Sequence, residues 1–319
     1  MIQFLFALLV IVLLLMAGLA WFTWNTKRGA ELAIPPRGRF IDLPGTRLHY
    51  TDEGSGPAIV MIHGLGGQMG NFNMALTPLL TGDHRVIVID RPGMGWSSRD
   101  EDAAANPRAQ ADTVAALIDA LGLERPLIVG HSLGGAIALC LAMDHPARTR
   151  GLALLAPLTQ PPSGAIDAFA GLNIKGRAKL FAMSWLLAIP MAIRTAPQVL
   201  DQVFGPEKVP DNYAIQGGAL LGLRPASFRS TSRDYLASGR DLRWMAGQYD
   251  SLKVPVRILF GAEDRILEAE LHGRALVADH PHIGLEVIEG GHMLPITQAA
   301  ACARFIRETE GVIAAGGRS

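Results

Sequence analysis

The chain opens on an unbroken apolar run from Phe4 to Phe22, then settles into short apolar runs separated by glycine-rich turns. The opening run is 19 residues long, close to the ~20 that cross a hydrocarbon core of about 30 Å. Trp21 and Trp24 stand where an interfacial aromatic belt lies, and Lys27, Arg28, Arg37 and Arg39 follow. This pattern predicts a transmembrane helix over residues 1–24. It also predicts a linker over 25–38, with Pro35, Pro36 and Gly38, that lets the rest of the chain stand off the bilayer. The competing reading is a cleaved signal peptide with Gly18-Leu19-Ala20 as the processing site. Against cleavage, no Lys or Arg precedes the run, and the run exceeds a normal signal core. The cations flank its C-terminal end, which places the following domain in the cytoplasm by the positive-inside rule. A cleaved signal would instead deliver that domain to the periplasm or the exterior.

The later runs are Ala58–Ile62, Val86–Ile89, Pro126–Val129, Gly151–Leu155, Val256–Phe260 and Leu285–Glu289. Continuous apolar runs of this length, bounded by glycine turns, read as buried parallel strands. Gly135–Ala142 reads as a helix of small residues, and Ala299–Val312 as a closing helix. From Leu155 to Val256 the rhythm lapses for about 100 residues. That stretch contains Leu180–Ile193, apolar on nearly every side and preceded by Lys175, Arg177 and Lys179. Too short and Pro-broken to span a membrane, it is either a lid helix lining an acyl pocket or touching the bilayer, or a helix buried against the core.

Candidate chemistry sits just past the strand ends. Gly130-His131-Ser132-Leu133-Gly134 joins a strand to a helix, and a serine between two glycines there is lifted out of a sharp turn. Serine needs a base, and the base needs a carboxylate to fix its tautomer. Asp264 follows the strand Val256–Phe260, and His292 follows Leu285–Glu289 in Gly290-Gly291-His292. Reactive groups in open parallel sheets collect at the C-terminal strand edge, so Ser132, Asp264 and His292 are positioned to converge. Glu263 is the competing acid. His63 and His131 read as structural hydrogen-bonders, and His49, His84, His145, His272, His280 and His282 as surface or capping residues.

At this point the chain resembles the α/β-hydrolase superfamily, from about residue 39 onward. Its order of serine, acid and histidine matches. His63-Gly64-Leu65-Gly66-Gly67 is similar to the family's oxyanion loop, and Asp90-Arg91-Pro92-Gly93-Met94-Gly95-Trp96-Ser97 to its D-x-P-G-x-G-x-S turn. The resemblance implies an α/β-hydrolase fold: a mostly parallel central sheet flanked by helices, with a core over 39–158 and 251–319. It also implies an inserted helical cap over 159–250, opened by Pro161-Pro162-Ser163-Gly164. The backbone amides of Leu65 and Leu133 would form the oxyanion hole. The implied activity is hydrolysis of carboxylic esters through Ser132, His292 and Asp264, with no cofactor or metal, and the N-terminal run together with Leu180–Ile193 points to apolar or lipid-like substrates. The same triad also serves carbon–carbon hydrolases, thioesterases, amidases and cofactor-free perhydrolases. A non-catalytic membrane-anchored binding protein is the reading from another class.

Composition narrows the field further. Lys+Arg and Asp+Glu are equal at 29 each, so no charge excess attracts nucleic acid. Gly64-Leu65-Gly66-Gly67-Gln68-Met69-Gly70 misses dinucleotide spacing by one residue, and no phosphate-loop or zinc motif occurs. Cys140 and Cys302 both fall in expected helices and read as buried free thiols. The tail from Ala314 to Ser319 is expected to fray.

Overall fold

The computed structural model describes residues 1–162, 164 and 167–316. Ser163 of the expected cap opening and residues 317–319 of the expected frayed tail lie outside the described residues. Eight strands form one sheet in the order β1-β2-β4-β3-β5-β6-β7-β8. β3 (Ala58–Ile62), β4 (Arg85–Ile89), β5 (Leu127–His131), β6 (Gly151–Leu155), β7 (Val256–Gly261) and β8 (Gly284–Ile288) run parallel. β1 (Arg39–Leu43) and β2 (Thr46–Glu53) form an antiparallel hairpin that adds to β4. Its polar face hid it from the apolar pattern, although Pro44-Gly45, with Gly45 at φ 74°, is a turn signal. Every residue of β5 and β6 is buried, which is why the central strands read as unbroken apolar runs.

Helices cover both faces of the sheet. α1 (Ile2–Ala33) precedes the sheet, α2 (Gly70–Asn73) follows β3, α3 (Pro107–Ala120) follows β4, and α4 (Leu133–Asp144) follows β5. α4 is apolar all round because it packs on β5 and β6 while α3 covers it. α5 (Arg177–Leu186), α6 (Ala188–Phe204) and α7 (Pro225–Ala246) fill the insertion between β6 and β7. A π-helical stretch, Glu270–Ala275, leads into α8 (Leu276–Asp279). α9 (Leu294–Thr297) and α10 (Ala299–Gly316) close the chain. Cys140 and Cys302 are buried free thiols in α4 and α10.

Three expectations are corrected. α1 runs unbroken to Ala33, so residues 25–33 of the expected linker are helix. They stay helical because Thr23 and Ala30 are buried and Glu31 pairs with Arg224 at 3.8 Å, which docks these turns on the insertion. Leu180–Ile193 is two helices bent by 70° at Leu187. Leu180 and Ile189 face inward while Phe181, Leu187, Met191 and Ile193 face outward. His49, His84 and His272 are buried, because each has a polar partner: Asp90 at 2.7 Å, Asp83 at 2.9 Å and the Thr159 hydroxyl at 3.2 Å.

Candidate active site

Ser132 follows β5 at φ 55° and ψ −121°, a backbone region that costs a non-glycine residue about 1–3 kcal/mol. The neighbouring fold imposes this geometry. Ser132 N–H donates to the Leu155 carbonyl at 3.1 Å, and its own carbonyl accepts from the amides of Gly135 at 2.9 Å and Leu158 at 3.0 Å. The flanking glycines are steric necessities. A Cβ on Gly134 would overlap the Ile62 carbonyl, and one on Gly130 would lie 2.5 Å from the Gly134 carbonyl oxygen.

Asp264 and His292 meet beyond the ends of β7 and β8. His292 Nδ1–H donates to Asp264 Oδ2 at 2.7 Å, while Asp264 Oδ1 accepts from the amides of Ile266 at 2.8 Å and Leu267 at 2.9 Å. Both Asp264 oxygens thus accept hydrogen bonds, and His292 Nε2 has no protein partner among the described residues. Glu263, the competing acid, is committed elsewhere and accepts from the Gly290 amide at 2.6 Å. Glu207, from the insertion, accepts from the Gly291 amide at 2.9 Å and so steadies the His292 loop.

The two motif histidines hold backbone. His131 Nε2 lies 2.9 Å from the His292 carbonyl oxygen, and the two rings are 4.9 Å apart, which ties the turn of Ser132 to the His292 loop. Burial pushes His131 down to about 3, helped by the neighbouring His292. His63 donates from Nδ1 to the Gly64 carbonyl at 2.9 Å and accepts the Arg91 amide at Nε2 at 3.0 Å. Burial, with the Arg91 guanidinium, holds it well below the ordinary histidine value. His272, which reads from the sequence as a surface or capping residue, is buried near Asp264 and His292, and that burial brings it down to about 4.

Gly64 faces Ser132 so closely that a Cβ there would lie 2.9 Å from the serine Cβ. Neither the Leu65 nor the Leu133 amide has a protein acceptor among the described residues. Leu133 is the first residue of α4, where orphan N–H groups and the helix dipole favour negative charge. Ser132, Leu65 and Leu133 line one cavity of about 390 Å³. Its other walls are mostly apolar, including Leu158, Phe169, Tyr235, Leu242, Ile266 and Leu267. No residue of α5 or α6 lines it, so the apolar stretch Leu180–Ile193 is not its wall. Phe169, Tyr235 and Arg91 carried no signal in the sequence, since isolated aromatics and a turn arginine show no period.

The model of the α/β-hydrolase fold family matches residues 57–181, which hold the Gly64 loop, the Asp90 turn and Ser132. A 2-hydroxy-6-oxo-6-phenylhexa-2,4-dienoate hydrolase of Comamonas testosteroni is 34% identical over 251 residues, 74% of this chain and 81% of that protein. A 2-hydroxy-6-oxononadienedioate/2-hydroxy-6-oxononatrienedioate hydrolase of the same organism is 29% identical over 77% of this chain and 84% of its own length. Among solved structures, a bacterial membrane phospholipase A superposes with a TM-score of 0.69 at 22% identity, covering 97% of this chain and 99% of that one. Sheet order, serine turn, family model and relatives agree that the chain belongs to the α/β-hydrolase family.

Proposed function

We propose that this hydrolase works through Ser132, His292 and Asp264. Ser132 Oγ attacks a carbonyl carbon, His292 Nε2 takes the proton and returns it to the leaving group, and Asp264 orients the imidazole and stabilises its charged form. The Leu65 and Leu133 amides receive the oxyanion, each worth roughly 2.7–4 kcal/mol in enzymes of this type. The Asp264–His292 pair at 2.7 Å, on a loop that His131 ties to the strained turn of Ser132, supports this reading.

The substrate that the cavity favours is a carboxylic ester with an apolar body. Among the described lining residues the one cation is Lys175, which is exposed, while apolar side chains surround Ser132. Carbon–carbon hydrolysis is the second reading, and the relatives favour it over the ester: both are named as hydrolases of 2-hydroxy-6-oxo-dienoates or related diacids. Those compounds are carboxylates at neutral pH, and a buried carboxylate calls for a cation beside it.

The deciding assay compares p-nitrophenyl esters from acetate to palmitate with 2-hydroxy-6-oxo-6-phenylhexa-2,4-dienoate, using the full chain in detergent and S132A alongside. The ester reading expects Ser132-dependent ester turnover that rises with chain length and exceeds turnover of the dienoate. A dienoate kcat/KM above every ester moves the assignment to carbon–carbon cleavage. No Ser132-dependent turnover of either contradicts the hydrolytic role of this site.

We also propose that α1 is the membrane attachment. It is long and apolar enough to cross a bilayer, and its apolar run is exposed.

A further inference from the structure

Arg91 is the second residue of the turn after β4 and is fully buried. Its guanidinium reaches four acceptors. Nε donates to the His63 carbonyl at 2.9 Å and Nη2 to the Gly64 carbonyl at 2.9 Å. Nη1 donates to Gln110 Oε1 and to Asp234 Oδ2, both at 2.7 Å. Asp234 comes from the middle of α7 in the insertion, is itself fully buried, and has its other oxygen 2.7 Å from Arg99 Nη2. One carboxylate of the insertion therefore faces two guanidiniums, and one of these grips the loop beside Ser132.

The grip fixes a direction. In a trans peptide the carbonyl and the following N–H point to opposite sides. The Gly64 carbonyl is held by Arg91, by His63 Nδ1 at 2.9 Å and by the Gly67 amide at 3.2 Å. That turns the Leu65 N–H away from Arg91, and Leu65 lines the cavity that it shares with Ser132. Without the guanidinium, the Gly64–Leu65 peptide loses its one charge-assisted tether and keeps only the neutral bonds from His63 and the Gly67 amide, with glycine at 64 permitting rotation.

We propose that Arg91 is a positioning residue for the oxyanion hole and that Asp234 sets Arg91, so that the seating of the insertion on the core determines the aim of the Leu65 amide. The proposal rests on the reading of Ser132 and Leu65 given above. It predicts an effect on the transition state and none on ground-state binding, because neither side chain lines the cavity.

The test uses the full chain in detergent with R91Q, R91K, D234N and the R91Q/D234N double variant. R91Q removes the guanidinium yet leaves Asp234 and Arg99 as a neutral pair. Three readouts are followed: kcat and KM on a p-nitrophenyl ester, affinity for a trifluoromethyl ketone whose adduct oxyanion needs the hole, and amide hydrogen exchange over residues 63–70. R91Q is expected to lower kcat and ketone affinity together by about 10- to 100-fold, with KM within about twofold. R91K recovers part of the loss, exchange over 63–70 rises, and the double variant loses no more than R91Q alone. Unchanged kcat, ketone affinity and exchange in R91Q would overturn the proposal. So would a loss confined to KM, or one that vanishes when each variant is assayed well below its own Tm. If the wild-type chain turns over no ester and binds no ketone, the hydrolase reading fails, while exchange in R91Q against wild type still decides the grip on the loop.

Discussion

Ser132 occupies backbone geometry that its neighbours impose, so chemistry and fold separate cleanly at this position. S132A keeps φ, ψ and every backbone hydrogen bond, and it is expected to lose at least about 10³-fold in kcat with Tm unchanged. Kinetics and differential scanning fluorimetry on the same preparation check both halves. D264N leaves a neutral amide beside His292 Nδ1, where the imidazole tautomer is no longer enforced. A fall in kcat of about 10⁴-fold is expected, as for a triad that has lost its carboxylate. His63, His131 and His272 are neutral in the fold, with His131 at about 3 and His272 at about 4. All three take up protons on unfolding below about pH 6.5. Because their folded values are depressed, the unfolded state binds more protons as pH falls, and stability is lost from about pH 6.5 downward, by up to ~1.4 kcal/mol per pH unit for each histidine. Denaturant melts between pH 7 and 4.5 are expected to show this decline, with a shallower slope in H272N. A flat profile would mean that these histidines charge without unfolding the chain.

At the scale of elements, the serine turn is set by what glycine lets approach. G134A puts a methyl group into the Ile62 carbonyl and is expected to cost about 1–3 kcal/mol, read as a lower denaturation midpoint. What the sequence made legible was whatever has a local period or a local turn. All six parallel strands lie within a residue or two of their apolar runs, and Ser132, Asp264 and His292 follow strand ends as the pattern required. The hairpin of β1 and β2 escaped because β1 has no fully buried residue and the buried positions of β2 include the polar Thr46, His49 and Thr51. The cavity wall escaped for a different reason. Apolarity marked Leu180–Ile193, yet the wall comes from Phe169 and the α7 residues Tyr235, Leu236 and Leu242, on a helix whose sequence is largely polar. Burial of Asp234 and Arg91 was invisible as well, since a charged pair buried by tertiary contact has no neighbours in sequence to announce it. The wall predicts a contrast: Y235A is expected to change the chain-length profile of ester turnover, and M191A on α6 to leave it unchanged.

For the whole molecule, α1 is both the apolar run and a docked element. Leu19, Ala20, Thr23, Thr26, Lys27, Ala30 and Glu31 recur every three or four residues as the covered face of a helix that is exposed up to residue 18. Removal of residues 1–18 is therefore expected to release the chain from membranes with Tm retained, whereas removal through residue 29 also strips the docked turns and lowers Tm. Carbonate extraction and thermal melts of the two truncations distinguish these outcomes. The central claim is that Ser132 is a nucleophile activated by His292 and Asp264, and fluorophosphonate labelling of the full chain tests it most directly. Intact mass with peptide mapping is expected to show one adduct, on Ser132, that forms in wild type and not in S132A, and at least about 10²-fold more slowly in D264N. An adduct on another residue, or no adduct in wild type, would contradict the account.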